Sequence, residues 1–188
     1  LLDSIFRKAG LKCSMITTVQ SFLDQTGVEF DRTTPGALEL NRFFAESWSQ
    51  GVEAAVMEVS SHSVDLHRVD HIQFEGFIFT NLSQDHLDYH QNMENYFQAK
   101  LKLFSPDRRP LYGGRFAVIN KDDPYGQKII AATDLPSLTY SAKNPADLKA
   151  ENIINSIEGL SFNLWLKGEK WSGIRSGLSG MFNVYNIM

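Results

Sequence analysis

Two apolar runs in the chain each end in a cluster of polar residues. Ala54-Ala55-Val56-Met57 leads into Glu58-Val59-Ser60-Ser61-His62, and Gly76-Phe77-Ile78-Phe79 leads into Thr80-Asn81-Leu82-Ser83-Gln84-Asp85-His86. Read as buried strands of an open α/β sheet, the runs place these clusters at the carboxyl ends, where such sheets bind ligands. A carboxylate from Glu58 and an imidazole from His86, presented by neighbouring strand ends, can share one divalent cation. The same residues also fit plainer roles, with Glu58 capping a helix and His86 an ordinary, partly exposed histidine.

Three further groups carry chemistry in their types and spacing. Asp85-His86-Leu87-Asp88-Tyr89-His90 packs four potential metal ligands into six residues. Their order differs from the His-x-His-x-Asp-His pattern of binuclear hydrolases, and an acid in a helical first turn accounts for Asp85 or Asp88 equally well. Lys100 lies about 60° to the side of the stripe formed by Phe97, Leu101 and Phe104, at 100° per helical residue. That flank suits a lysine that snorkels its charge outward, or one whose amine is altered or covalently modified, while Lys102 is expected to face solvent. Arg32-Thr33-Thr34-Pro35 reads as a helix start with Thr34 as cap, whose hydroxyls and N–H groups also suit an anion. Asn183 and Asn186, three apart, present two amides on one helical face.

The elements that must position these groups alternate between helix and strand. A first helix over Leu2, Ile5, Phe6 and Ala9 stops at Gly10, and Ser14–Val19 reads as a strand. A helix then runs from Pro35 to about Gln50. The continuous apolar runs at 54–57 and 76–79 suit strands buried on both faces. Helices at about 93–104 and 124–132 flank a strand at 116–120. After Pro145 the texture changes to short runs over 153–157, 160–167 and 170–175, separated by Glu158-Gly159 and Gly168-Glu169, which is the signature of antiparallel hairpins. A helix restarts near Met181. The expected fold is therefore α/β, a P-loop-type, mostly parallel sheet flanked by helices with a small antiparallel β lobe near the C-terminal end.

Composition narrows the function classes. The chain has 188 residues, 43% of them hydrophobic, with a net charge of −4. That length can bury one core. Mild acidity without a basic stripe argues against nucleic acid as a partner. No apolar run approaches the 18 or so residues of a membrane span. The single cysteine, Cys13, forms no internal disulfide and fits a reducing, cytoplasmic setting. No Gly-x-x-x-x-Gly-Lys-Ser/Thr loop occurs, and the place for one lies immediately before the first helix. Opening on Leu1 and ending within a helical pattern at Met188, the chain is expected to be a fragment of a longer protein.

Five blocks then stand together in one order. They are Thr33-Thr34-Pro35, Met57 to His62, Phe79 to His90, Tyr96-Phe97-Gln98-Ala99-Lys100, and Gly180-Met181-Phe182-Asn183-Val184-Tyr185-Asn186. In this the chain resembles the Mur ligases over essentially its whole length, and most closely their MurE-type branch. The resemblance implies the central ATPase domain of a three-domain cytoplasmic enzyme of peptidoglycan synthesis. Residues 1–145 would be the α/β core without its phosphate loop, 146–179 the antiparallel lobe and 180–188 the start of a returning helix.

The activity implied is ATP-dependent addition of the third amino acid to UDP-N-acetylmuramoyl-L-Ala-D-Glu through an acyl phosphate, with ATP and Mg²⁺ as cofactors. The fragment alone is expected to be inactive. By the same resemblance Glu58 and His86 match metal positions, and Lys100 matches a lysine that is carbamylated to hold a second Mg²⁺. Thr33, Thr34, Ser60 and Arg68 match contacts to the UDP-muramoyl substrate, and Asn183 and Asn186 match the adenine side. Leu66 departs from the glutamine that some members use against substrate. Competing readings are a sibling ligase of the cyanophycin- or folylpolyglutamate-synthetase type, a non-catalytic binding subunit, and a metal hydrolase built on Asp85 to His90.

Overall fold

The computed structural model describes all 188 residues and divides into two compact units. The first is Leu1–Ile72 with Gln98–Lys102, and the second is Gln73–Phe97 with Leu103–Met188.

The first unit is a four-stranded sheet with helices. Helix α1 (Leu2–Lys8) precedes β1 (Cys13–Ile16), β2 (Ser21–Leu23) and β3 (Thr26–Val28); α2 (Ala37–Ser49), β4 (Ala54–Met57) and α3 (Ser61–Asp65) follow. The order β3-β2-β1-β4 combines an antiparallel hairpin with one parallel pair, in which Cys13 faces Ala54 and Ile16 faces Met57. Cys13, Ile16, Leu23, Leu40, Val64 and Val69 fill its core. Burial pushes the Cys13 thiol up to about 11, so it packs as a small apolar side chain.

The second unit carries β5 (Phe74–Phe79), α4 (Leu87–His90) and α5 (Met93–Leu101), whose last turn belongs to the first unit. A short 3-10 turn leads to α6 (Arg109–Tyr112), then β6 (Gly113–Asn120), α7 (Pro124–Ala132), β7 (Ser137–Ser141), three long strands and α8 (Met181–Ile187). The long strands are β8 (Leu148–Ser156), β9 (Gly159–Leu166) and β10 (Glu169–Ser176). The sheet order is β10-β9-β8-β7-β6-β5, parallel from β5 to β8 and antiparallel from β8 to β10. The mixed α/β class with a mostly parallel sheet is as expected. The antiparallel strands expected over 146–179 join the parallel sheet through Tyr140–Leu148 and Ser141–Lys149.

Local chemistry explains the better-defined elements. Asp123 caps α7 by accepting from the Tyr125 N–H at 2.8 Å, with Pro124 at the first helical position. Gly126 lets α7 lie against β6, because a Cβ there would come within 1.9 Å of the Asn120 carbonyl oxygen. On β9, Phe162 and Leu164 are buried while Ser161, Asn163 and Trp165 between them are not, the alternation of a half-wet sheet.

Several expectations are corrected. The 54–57 and 76–79 strands are not buried on both faces: Ala55 is exposed and Ile78 is 47% exposed. Both strands are edges of their sheets, with a neighbour on one side only. The helix after Pro35 is capped by Gly36, whose N–H donates to the Glu39 carboxylate at 2.8 Å, and Thr34 turns to other partners. The helix from Met93 ends at Leu101 rather than Phe104. Lys102 does not point into solvent alone but pairs with Asp65 at 2.8 Å. Strands β2, β3 and β7 have no counterpart in the sequence expectation.

Candidate active site

In the first unit, the polar residues expected to bind ligand converge at the carboxyl ends of β1 and β4. Glu58 leaves the end of β4 as an exposed side chain. Its Oε2 accepts from the Thr18 hydroxyl at 2.6 Å and from the Thr18 backbone N–H at 3.0 Å. The Thr18 and Thr33 hydroxyls lie 3.2 Å apart. Thr34, buried to 1% exposure, donates its hydroxyl to the Glu58 carbonyl at 2.9 Å and accepts the Ser60 N–H at 3.0 Å. Ser60 caps α3 by accepting from the Ser63 N–H at 3.2 Å. Arg68 Nη1 reaches the Thr34 carbonyl at 3.3 Å. Thr33, Thr34, Glu58, Ser60 and Arg68 are thus gathered into one network, and Ser60, not Glu58, is the helix cap.

Thr18 is a residue the sequence reading missed, because that reading carries the first strand on to Val19. The strand ends at Ile16, which leaves Thr17-Thr18 just past its carboxyl end as Glu58 lies just past that of β4. Lys100, in the last turn of α5, is half-buried and belongs to this same unit. The Lys102–Asp65 pair ties that turn to α3.

In the second unit, two residues at and just after the end of β6 knit the strand ends together. The Asn120 amide donates to the Thr80 carbonyl at 2.7 Å, and Asp123 accepts the Leu82 N–H at 3.0 Å, which fixes the segment leading to His86. His86 sits at φ +54°, a left-handed conformation uncommon outside glycine, which His67 and His71 also adopt. Its N–H donates to Asp85 Oδ1 at 2.8 Å, its Nε2 lies 3.5 Å from Asp85 Oδ2, and its ring meets Tyr96 edge-on. His90 is buried at 5% exposure and stacked on Tyr96 at 5.1 Å. Burial, with a smaller push from Asp85, raises the Tyr96 phenol. Asp85, His86, Asp88 and His90 therefore do not converge, and no group of three or more His, Cys, Asp or Glu side chains is arranged to hold a metal.

Asn183 and Asn186 are brought together on α8, with the Asn186 amide donating to Asn183 Oδ1 at 3.2 Å. The Asn183 amide in turn donates to the Ser179 carbonyl at 2.8 Å.

In the first unit, parallel strands with hydroxyls and a held carboxylate at their carboxyl ends have the arrangement by which α/β sheets bind ligands. The Mur ligase middle domain family matches residues 1–188, and the chain belongs to the Mur ligases. It is 39% identical over 188 residues to a UDP-N-acetylmuramoyl-L-alanyl-D-glutamate–2,6-diaminopimelate ligase of Clostridium botulinum, and 40% identical to one of Parabacteroides distasonis. Each alignment covers 100% of this chain and 37% of the relative. A solved structure of a ligase of the same description superposes with a TM-score of 0.84 at 29% identity, covering 99% of this chain and 38% of that one.

Proposed function

We propose that this chain is the central, ATP-binding part of a cytoplasmic amide ligase of peptidoglycan precursor synthesis. The enzyme joins an amino acid to UDP-N-acetylmuramoyl-L-Ala-D-Glu. The relatives' names make 2,6-diaminopimelate the first amino acid to test. In this reading residues 1–145 form the core, 146–179 the antiparallel strands and 180–188 the returning helix.

The observation that carries the proposal is the network binding Thr18, Thr33, Thr34, Glu58, Ser60 and Arg68 into one strand-end site. Mg²⁺ in such enzymes keeps several waters and takes one or two carboxylates beside the substrate's phosphates, so no closed cage is needed. An exposed Glu58 carboxylate held by one of its oxygens fits that demand. Glu58 and a carbamylated Lys100, both in the first unit, would be metal ligands, and the resemblance gives His86, in the second unit, the same role.

MgATP supplies the phosphoryl group that converts the D-Glu carboxylate to an acyl phosphate, releasing ADP. The incoming amine attacks the acyl carbon, and phosphate leaves as the amide forms. Thr33, Thr34, Ser60 and Arg68 would orient the UDP-muramoyl substrate, with the Arg68 guanidinium paired to an anionic group. Asn183 and Asn186 would face the adenine.

Phosphate release from MgATP by the full-length ligase, given UDP-N-acetylmuramoyl-L-Ala-D-Glu and a panel of amino acids, tests the reading. Release should require both co-substrates and collapse in Lys100→Ala. Uncoupled release, or none with any amino acid, would point to a sibling ligase or a binding subunit instead.

A further inference from the structure

One carboxylate in the second unit has no place in the mechanism above, yet it organises more of its surroundings than any other. Asp122 follows the end of β6. It accepts from the Ser141 hydroxyl at 2.6 Å, the Ala142 N–H at 2.8 Å, the Lys143 N–H at 3.1 Å and the Asn144 amide at 2.7 Å. These donors form the turn that leaves β7. Its remaining partner comes from far along the chain, the Tyr185 hydroxyl on α8, at 2.8 Å. Burial alone would push the Asp122 carboxyl up, but the hydrogen bonds from Ser141, Asn144, Ala142 and Tyr185 outweigh it and hold the group below its usual range.

Helix α8 is short, and such a helix takes its orientation from what anchors it. Two adjacent side chains lead in this, with Ile187 also packed against the apolar cluster beneath the helix. Val184 is wholly buried against the apolar cluster of Ala150, Leu160, Phe162 and Leu164. Tyr185 is tied to Asp122 and rests edge-on near Tyr140, ring centres 6.4 Å apart. At about 100° per residue, the midpoint of Val184 and Tyr185 lies about 180° around the helix from the midpoint of Asn183 and Asn186. The anchored pair and the asparagine pair are therefore back to back. An apolar contact such as Val184 tolerates sliding and rolling, because the hydrophobic effect is non-directional. A hydrogen bond to an ionised carboxylate is directional, so the Tyr185–Asp122 bond constrains the roll of the helix, while the Gly180 N–H donated to Asn155 Oδ1 at 2.9 Å holds its first end.

We propose that Asp122 and Tyr185 form a clasp that sets the roll of α8 and thereby aims the Asn183 and Asn186 amides at the adenine base. The clasp rests on the assignment of Asn183 and Asn186 to the adenine side. Both are positioning residues that do not touch nucleotide. Amides at a fixed angle can pair with the N6 amino group and N7 of adenine, and a guanine presents an acceptor where adenine presents a donor. Loss of the clasp should therefore blur the choice between the two bases before it affects the phosphoryl transfer itself.

The experiment uses the full-length ligase with Tyr185→Phe, which removes one hydroxyl and leaves the ring. KM for ATP should rise about tenfold, the scale expected when an amide loses its alignment with the base. The preference for ATP over GTP should fall by a similar factor, with kcat and the KM for the muramoyl substrate unchanged. Unchanged KM and base preference in Tyr185→Phe would overturn the clasp, as would a uniform loss against every substrate tracking a lower melting temperature. Asn183→Ala, measured beside it, separates the two ideas. If Asn183→Ala weakens ATP binding and Tyr185→Phe does not, the clasp is wrong and the adenine assignment stands. If neither variant affects ATP, the adenine assignment fails and the clasp with it.

Discussion

Glu58 and Asp122 both follow a strand at its carboxyl end, and both are held by hydrogen bonds, yet they are held differently. Asp122 is half-buried and receives donors from a whole turn and from a helix. Its lone pairs are spent within the protein. Glu58 is exposed and shows donors from Thr18 alone, both on Oε2. A carboxylate held by one oxygen and otherwise open is oriented without being consumed, which is what a cation awaiting phosphates requires. The contrast separates a group that builds the scaffold from one left open for the proposed metal role, although both are acids at strand ends.

Removing the offered group should have the largest effect. Glu58→Gln keeps the shape and the Thr18 contacts but deletes the charge. Mg²⁺-dependent phosphate release should fall about 10²- to 10³-fold, the scale of losing one charge-stabilising group in an active site. Melting temperature should barely change. A Glu58→Gln enzyme with normal turnover would erase the distinction.

Thr18→Val should come next, since it removes the 2.6 Å hydroxyl contact while the backbone N–H remains. A hydrogen bond to a charged group is worth about 2 kcal/mol, or about thirtyfold. The loss should appear as a weaker Mg²⁺ requirement curve, and Thr18→Ser should restore most of it. Failure of serine to rescue would assign Thr18 a packing role instead.

The smallest effect, and one on stability, belongs to Asp122. Its folded-state pKa is depressed. The stability it contributes is therefore complete above the unfolded carboxylate pKa of about 4 and is lost as pH falls through the lower folded value. The gap in urea midpoint between wild type and Asp122→Asn should be constant near pH 6 and narrow below about pH 4. A gap that stays constant down to pH 3 would mean the ionised form contributes nothing special.

Much of the scaffold was legible where residue chemistry is blunt. Asp123-Pro124 at the start of α7 and the Glu158-Gly159 and Gly168-Glu169 turns between β8, β9 and β10 each have one local reading. Strand β7 was hidden because Ser-Leu-Thr-Tyr-Ser carries little apolar periodicity, and its burial depends on neighbours distant in the chain. Strands β2 and β3, of three residues each, are too short for any period to show. Thr34 was read as a cap because threonine before Pro-Gly invites it. Its hydroxyl instead bridges residues 58 and 60, a partnership 24 to 26 positions away that no local rule contains. Asp122 left a trace that went unused: beside Asp123-Pro124 only one of two adjacent acids can cap the helix, and the other needs a separate explanation.

The backbone at His86 has a consequence for anyone who would stabilise this protein. At φ +54° the position favours asparagine or glycine over histidine. Backbone-propensity arguments alone would recommend His86→Asn as a relaxing substitution, of the kind that commonly raises a melting temperature. The same change would delete an imidazole proposed to hold the metal. Thermal robustness and turnover would then move in opposite directions at a single residue, so a stability screen run without an activity readout would select for an inert enzyme.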